Sequence, residues 1–335
     1  MGYGTYSTAD YSATIGAKVS SGTSFGYDRT VRSTGDYKAH ETLDPAKANS
    51  AGLRIREARD SVEHPNTVPI SIGLDVTGSM ARTPRLVQES LHKLFGLLVR
   101  KGYCADPAIQ ISAYGDAYSD YVPLQVSQFE SSNALDGHLD NLFLEGHGGA
   151  NNGETATLLW YYLNNHVVTD AWEKRGKKGY FFLIADEVPL DLTSDMVTKF
   201  IGVDEAPADK QLTADALAAE LREKWEVFVL LLDNGAAFQQ KSKERYTKLF
   251  GSQRIIILQD DTTVAETIGA VVGRMENDDL DTDELVDDMV GEGVSKEVAL
   301  QAAKAVATLG AGTASGSVAK TGLTIQEDDG GVEFH

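Results

Sequence analysis

The sequence predicts an α/β protein built on a mostly parallel sheet with helices packed on both faces. Three observations carry this. Strand-length apolar segments alternate with helix-length segments over roughly two hundred residues, the pattern of repeated β-α-β units. Tyr180-Phe181-Phe182-Leu183-Ile184-Ala185 is almost wholly apolar, and at strand length that implies burial on both sides. Ile70, Ile72 and Leu74 alternate onto one face of a segment that breaks at Asp75 into an oxygen-rich turn and resumes as a helical run over 86–99. A strand feeding a helix through such a turn is where parallel sheets place ligand chemistry.

Composition narrows the field. With 335 residues, 42% of them hydrophobic, the chain has material for a real core. A net charge of −20 argues against a general nucleic-acid binder, which needs cations facing phosphate, and suits attraction of divalent cations or basic surfaces. The single cysteine, Cys104, rules out an intrachain disulfide and favours a reducing compartment. No basic-then-apolar leader opens the sequence, and apolar runs such as 228–232 are far too short to span a bilayer. A cytoplasmic location without membrane attachment is the expectation.

In chain order, residues 1–43 are rich in Tyr, Ser, Thr and Gly without apolar periodicity, which predicts a flexible N-terminal arm. Asp44-Pro45 is a helix-start signal and predicts a helix to Arg59, after which His64-Pro65-Asn66 turns the chain into the first core strand. Lys101-Gly102 closes the 86–99 helix. Strands follow at 108–114 and, shorter and interrupted by Pro123, within 121–129, then a helix over 131–142. A loop of small and polar residues, 145–155, opens a helix over 157–165, and the 180–185 strand ends on Asp186-Glu187. Helices at 194–201, 213–224, 238–250 and 262–274 and strands at 227–232 and 254–258 complete a domain spanning 44–275. From 276 to 335 the chain is an acidic tail, with a short helical pair at 282–290 and 296–309 and then a solvated end.

Oxygen donors gather at three of these junctions: Asp75, Thr77 and Ser79; then Thr155 with Glu154 beside it; then Asp186. In a parallel sheet all three lie along the carboxyl edge. Taken singly, Ser79 or Thr155 reads as a helix cap or turn former. Together they are hard ligands suited to Mg2+ or Mn2+. Hydroxyl ligands leave such an ion electrophilic and ready for an outside carboxylate.

Asp75-Val76-Thr77-Gly78-Ser79-Met80 resembles the metal-ion-dependent adhesion site of von Willebrand factor A domains, with Thr155 and Asp186 resembling its second and third segments. Arg56-Glu57-Ala58-Arg59-Asp60-Ser61 and Ile184-Ala185-Asp186-Glu187 are similar to phrases of intracellular bacterial or phage members, and the match covers roughly 50–275. The resemblance implies a Rossmann-like, doubly wound fold and a non-catalytic protein-binding module. In the family, residues matching Thr77, Ser79 and Thr155 touch the ion and those matching Asp75 and Asp186 often act through water. A Glu or Asp of the partner completes the shell. Intracellular relatives often work beside a MoxR-type AAA+ ATPase, which implies an adaptor role. Three departures stand out: Thr77 where Ser is commoner, Glu187 where Gly is usual, and Glu154 as a competitor of Thr155 for the ion.

The rival reading is a phosphatase or phosphotransferase. The same loop resembles the aspartyl-phosphate loop of haloacid-dehalogenase-like enzymes, with Asp75 as nucleophile, Asp186 and Asp191 as metal acids, and Lys177 or Lys178 as the phosphate-contacting cation. Val76 inside the loop and the glycine-rich segment before Thr155 speak against it. Gly73 and Gly78 have P-loop spacing, but Ser79 stands where the lysine is required. Thr77-Gly78-Ser79-Met80-Ala81 does not supply the Gly-x-Ser-x-Gly of a nucleophilic serine elbow, and the histidines, including His138 and His147, show no metal-ligand spacing.

Overall fold

In the computed structural model, which describes residues 7–48, 54–80, 82–146, 153–202, 211–232, 236–259, 261–277, 279–307 and 309, the chain opens on two helices rather than a mobile arm. They are α1 (Thr8–Ser21) and α2 (Gly26–Thr34). Ser7 caps α1 by accepting the Asp10 amide, and Gly22 ends it in the left-handed conformation that glycine adopts without strain. Tyr11, Phe25 and Val31 are buried, and the Tyr11 hydroxyl donates to the Gln88 carbonyl (2.9 Å). The apolar residues of this segment are too sparse for a periodic signal, yet each one finds the body of the protein.

The helix expected from Asp44 is also corrected. Asp44 accepts the Ala46 amide (2.9 Å), forming an Asx turn, and residues 56–58 are a strand, β1 (Arg56–Ala58). The core strand β2 (Val68–Asp75) is buried along its length. A single 3-10 turn, Gly78–Met80, leads to α3 (Thr83–Phe95), which continues as a π-helical turn, Gly96–Arg100. Next come β3 (Pro107–Tyr114), β4 (Leu124–Val126), α4 (Leu135–Asp140) and α5 (Ala156–His166). Two short elements that the sequence pattern does not reveal follow, β5 (Val167–Thr169) and α6 (Asp170–Arg175), and β5 pairs in parallel with β1. The alternation resumes with β6 (Gly179–Ala185), α7 (Ser194–Phe200), α8 (Ala214–Lys224) and β7 (Trp225–Leu232). It closes with α9 (Ala236–Phe250), β8 (Ile255–Leu258), α10 (Val264–Glu276), α11 (Thr282–Gly291) and α12 (Lys296–Ala305).

The main sheet runs β4-β3-β2-β6-β7-β8, parallel except for β4 at one edge. The chain starts in the middle at β2, builds outward to β4, and returns to the other side of β2 with β6. That reversal leaves a crevice beyond the carboxyl ends of β2 and β6. The register sets Leu74 against Ile184 and Asp75 against Tyr114, so Asp75, the residue after Tyr114 and the end of β6 come out level.

Two apolar clusters fill the two sides of the sheet, as the continuous apolar run in β6 requires. Phe182 and Ile184 join Ile72, Leu74 and Ile111 under α3 and α10, while Phe181 and Leu183 join Val229 under α5 and α8. Gly73 permits the close seat of α5: a Cβ there would stand 2.7 Å from the Leu159 side chain and 3.3 Å from Phe181. Much of the predicted acidic tail belongs to the folded body. Leu285, Met289, Ala299 and Ala302 are buried in the α3–α10 cluster, and the Tyr103 hydroxyl donates to Asp288 (2.9 Å). The final stretch, 310–335, lies outside the described residues. Among the described residues, no helix is long and apolar enough to cross a membrane.

Candidate metal centre

An acid at or just past the end of a strand stands at the sheet edge: Asp75 ends β2, Asp116 follows β3 by two residues, and Asp186 follows β6 by one. The β2 turn organises itself around Asp75. Its Oδ1 accepts both the Thr77 amide (2.8 Å) and the Thr77 hydroxyl (2.5 Å). Its Oδ2 is buried and has no hydrogen-bond partner among the described residues. Because the Thr77 hydroxyl spends its proton on Asp75, its lone pairs are left for an electron-pair acceptor. Ser79 lies exposed in the following turn. The Val76 backbone is held from both sides, its amide by Tyr114 O (3.0 Å) and its carbonyl by the Gly146 amide (3.0 Å).

Glu154 and Thr155 arrive as the approach to α5. The Glu154 amide donates to Val188 O (3.0 Å) and its carbonyl accepts the Leu190 amide (2.9 Å), tying it to the segment after Asp186. Thr155 is the N-cap of α5 but does not cap it. Instead its hydroxyl donates to Gly115 O (2.9 Å) and accepts the Ala117 amide (2.7 Å), fastening α5 to the loop after β3. Asp186 is buried at the end of β6, and its carbonyl accepts the Ser242 hydroxyl (3.1 Å). Of the predicted set, Asp75, Thr77, Thr155 and Asp186 therefore meet at one edge of the sheet, and Ser79 flanks them.

The loop after β3 adds acids that the sequence reading passed over. Asp120 accepts the Asp116 amide (2.7 Å), and Glu145 accepts the amides of Tyr121 (3.3 Å) and Val122 (3.2 Å). The signal that would have found Asp116 is the one that found Asp75 and Asp186: an Asp just past an apolar strand. The crowding has an electrostatic signature. Burial, then Asp186, raises the Asp75 carboxyl well above the ordinary carboxylate range despite the Thr77 hydrogen bonds. Burial pushes Glu154 up to about 10, with Asp75, Asp116, Asp120 and Glu187 adding to it. Asp120 is raised to about 6, by burial first and then by Glu145 and Asp116 against the Asp116 amide. Glu187 rises through burial and Asp186, with Lys241 opposing.

Among the described residues no three His, Cys, Asp or Glu side chains group into a metal cage. The donor set at the crevice is of another kind, two or three carboxylates supplemented by hydroxyls. It fits a hard divalent ion on one direct observation, the buried and unpartnered Oδ2 of Asp75. The residues that a phosphatase would need are placed elsewhere. Lys177 pairs with Glu276 (2.7 Å) and Lys178 donates to Arg222 O (2.6 Å), both before the start of β6 and so at the far edge of the sheet from Asp75. Asp191 accepts the Ala214 amide (2.7 Å) at the start of α8. His138 lies 3.5 Å from Glu130, and His147 falls outside the described residues.

No protein-family model matches the chain, and no characterised protein sequence does. Solved structures with a similar course include the pilus adhesin SpaC of Lactobacillus rhamnosus GG in its open conformation, at 12% identity and a TM-score of 0.43. The match covers 67% of this chain and 31% of the adhesin. Proximal thread matrix protein 1 of the mussel byssus aligns at 7% identity and a TM-score of 0.43, over 62% of this chain and 48% of that protein. This chain thus spans less than half of either relative's length.

Proposed function

We propose that this chain is a von Willebrand A-type module with a doubly wound, Rossmann-like sheet, and that it binds an acidic protein segment through a divalent ion without catalysing a reaction. One observation carries the reading: three distant segments bring Asp75, Thr77, Thr155 and Asp186 to the crevice where the strand order reverses, with one oxygen of Asp75 buried and unpartnered there. Thr77 and Ser79 would offer hydroxyl oxygens to Mg2+ or Mn2+, Thr155 would face them from α5, and Asp75 and Asp186 would supply the neutralising charge. The bound ion supplies a Lewis-acidic position for a partner's Glu or Asp. The chain's part is to hold the hydroxyls in place, which the Asp75–Thr77 bonds do, and to exclude competing bases. An adaptor role beside a MoxR-type AAA+ ATPase in the cytoplasm is the setting that the resemblance suggests. The phosphatase alternative is less favoured, because its phosphate-contacting lysines stand at the opposite edge of the sheet.

The test is affinity capture with the full chain in Mg2+ and in chelator. Partner recovery is expected in Mg2+ and lost in chelator, and the double variant Asp75→Ala, Ser79→Ala is expected to lose it in both while keeping the wild-type circular dichroism spectrum. Recovery that is the same in chelator, or undiminished in the variant, overturns the reading.

A further inference from the structure

We infer that Glu154, and not its neighbour Thr155, is the group that the start of α5 contributes to the cation. The inference rests on the metal reading above and concerns which side chain completes it. Thr155 is already occupied: its hydroxyl proton goes to Gly115 O and one of its lone pairs to the Ala117 amide, both across more than thirty residues of sequence. Turning that oxygen toward an ion would release the loop after β3. Glu154 is in the opposite condition. It is 6% exposed, and its Oε2 has no hydrogen-bond partner among the described residues. No ion pair to Glu154 or to Asp75 occurs among the described residues either, although Glu154 feels the charge of Asp75.

The backbone holds Glu154 in this position. Its amide and carbonyl are both bonded to the 188–190 segment, and Gly153 lets the two segments close up. A Cβ on Gly153 would stand 2.8 Å from Val188 O and 2.7 Å from the Leu190 side chain. These bonds fix the point from which the Glu154 side chain departs. A buried carboxylate oxygen without a donor is costly, and a cation shared with the equally unpartnered Oδ2 of Asp75 is the partner both lack. With Asp75 and Asp186, Glu154 brings the carboxylates around a divalent ion to three. The consequence for function is a tighter but less electrophilic ion than an all-hydroxyl set would hold, so a partner's carboxylate meets weaker attraction while Glu154 is bound.

The test is Mn2+ titration by calorimetry of the full chain, wild type against Glu154→Gln and Thr155→Val, each checked for fold by circular dichroism. Wild type is expected to bind Mn2+. E154Q, nearly isosteric, should weaken binding at least about tenfold, the scale on which even groups supporting a ligand act. T155V should lose clearly less than E154Q, since it removes loop bonds but no ligand. Wild-type affinity in E154Q, or an equal loss in both variants, overturns the assignment to Glu154. Absence of Mn2+ binding by the wild type would instead remove the metal reading itself, a result separable from the first.

Discussion

The two ends of the main sheet treat their carboxylates in opposite ways. At the amino edge, Asp60 and Asp170 are enclosed by bases. Arg59 reaches Asp170 at 2.9 Å, Lys174 reaches it at 2.7 Å, and Arg175 reaches Asp60 at 2.6 Å. Arg175 also donates to Thr67 O (2.9 Å), so the cluster ties α6 to the start of β2. Against the upward push of burial, Lys174, the Asp60 amide and Arg59 hold the Asp170 carboxyl down to about 2. At the carboxyl edge, Asp75 and Glu154 are also buried, but they have no ion pair among the described residues and are pushed upward. Paired acids are what a fold uses to hold itself together. Unpaired buried acids gathered in a crevice are what a fold tolerates when something else binds there.

The contrast is best broken by removing one acid from each end. Asp170→Asn leaves Arg59 and Lys174 without their shared negative charge, and should lower unfolding free energy by about 2–3 kcal/mol, less than a fully buried pair because both bases reach solvent. Asp75→Asn keeps an acceptor for Thr77 and removes an uncompensated charge, so in chelator it should be neutral or stabilising. Denaturant melts of both variants check this, and a large loss in D75N would erase the contrast. Added Mn2+ should raise the melting temperature of wild type and leave D75N unmoved.

Packing between the two ends supplies a smaller effect. Gly73→Ala drives a methyl into Leu159 and Phe181 and should cost about 1–3 kcal/mol, read as a shifted denaturant midpoint with an unchanged slope. The pH responses should be smaller and opposite in sign. Asp170 is depressed in the folded state, so its contribution is present above its unfolded value and lost as pH falls toward 2, roughly 1–2 kcal/mol after solvent screening of its partners. Asp120 is raised to about 6, so its contribution is present below the unfolded value and lost as pH rises through 6. Chelated protein should therefore lose some stability between pH 5 and 7, and N-substituted Asp120 (Asp120→Asn) should flatten that slope.

The long main-sheet strands were legible because each is strongly apolar, and β2, β3 and β6 stop at or beside a glycine or an acid. What escaped was set by contacts distant in sequence. Arg56–Ala58 is a strand only because Val167–Thr169 lies beside it, and three residues carry no readable period. The Asp44-Pro45 signal marked a turn, closed by the Asp44 carboxylate on the Ala46 amide. The N-terminal helices hold on through scattered anchors such as Tyr11 and Phe25, too few to announce an amphipathic face. In the candidate site, Asp75, Thr77 and Asp186 could be picked out by their place after strands. The choice between Glu154 and Thr155 could not, because it depends on the Gly115–Ala117 loop that occupies the threonine hydroxyl.

The most direct measurement is a crystal structure of the full chain grown with Mn2+, read in an anomalous difference map at the manganese edge. The account predicts a single peak within bonding distance of Thr77 and Ser79, with Asp75 and Asp186 beside it. A map with no peak in that crevice, at Mn2+ concentrations that saturate the protein in solution, would contradict it.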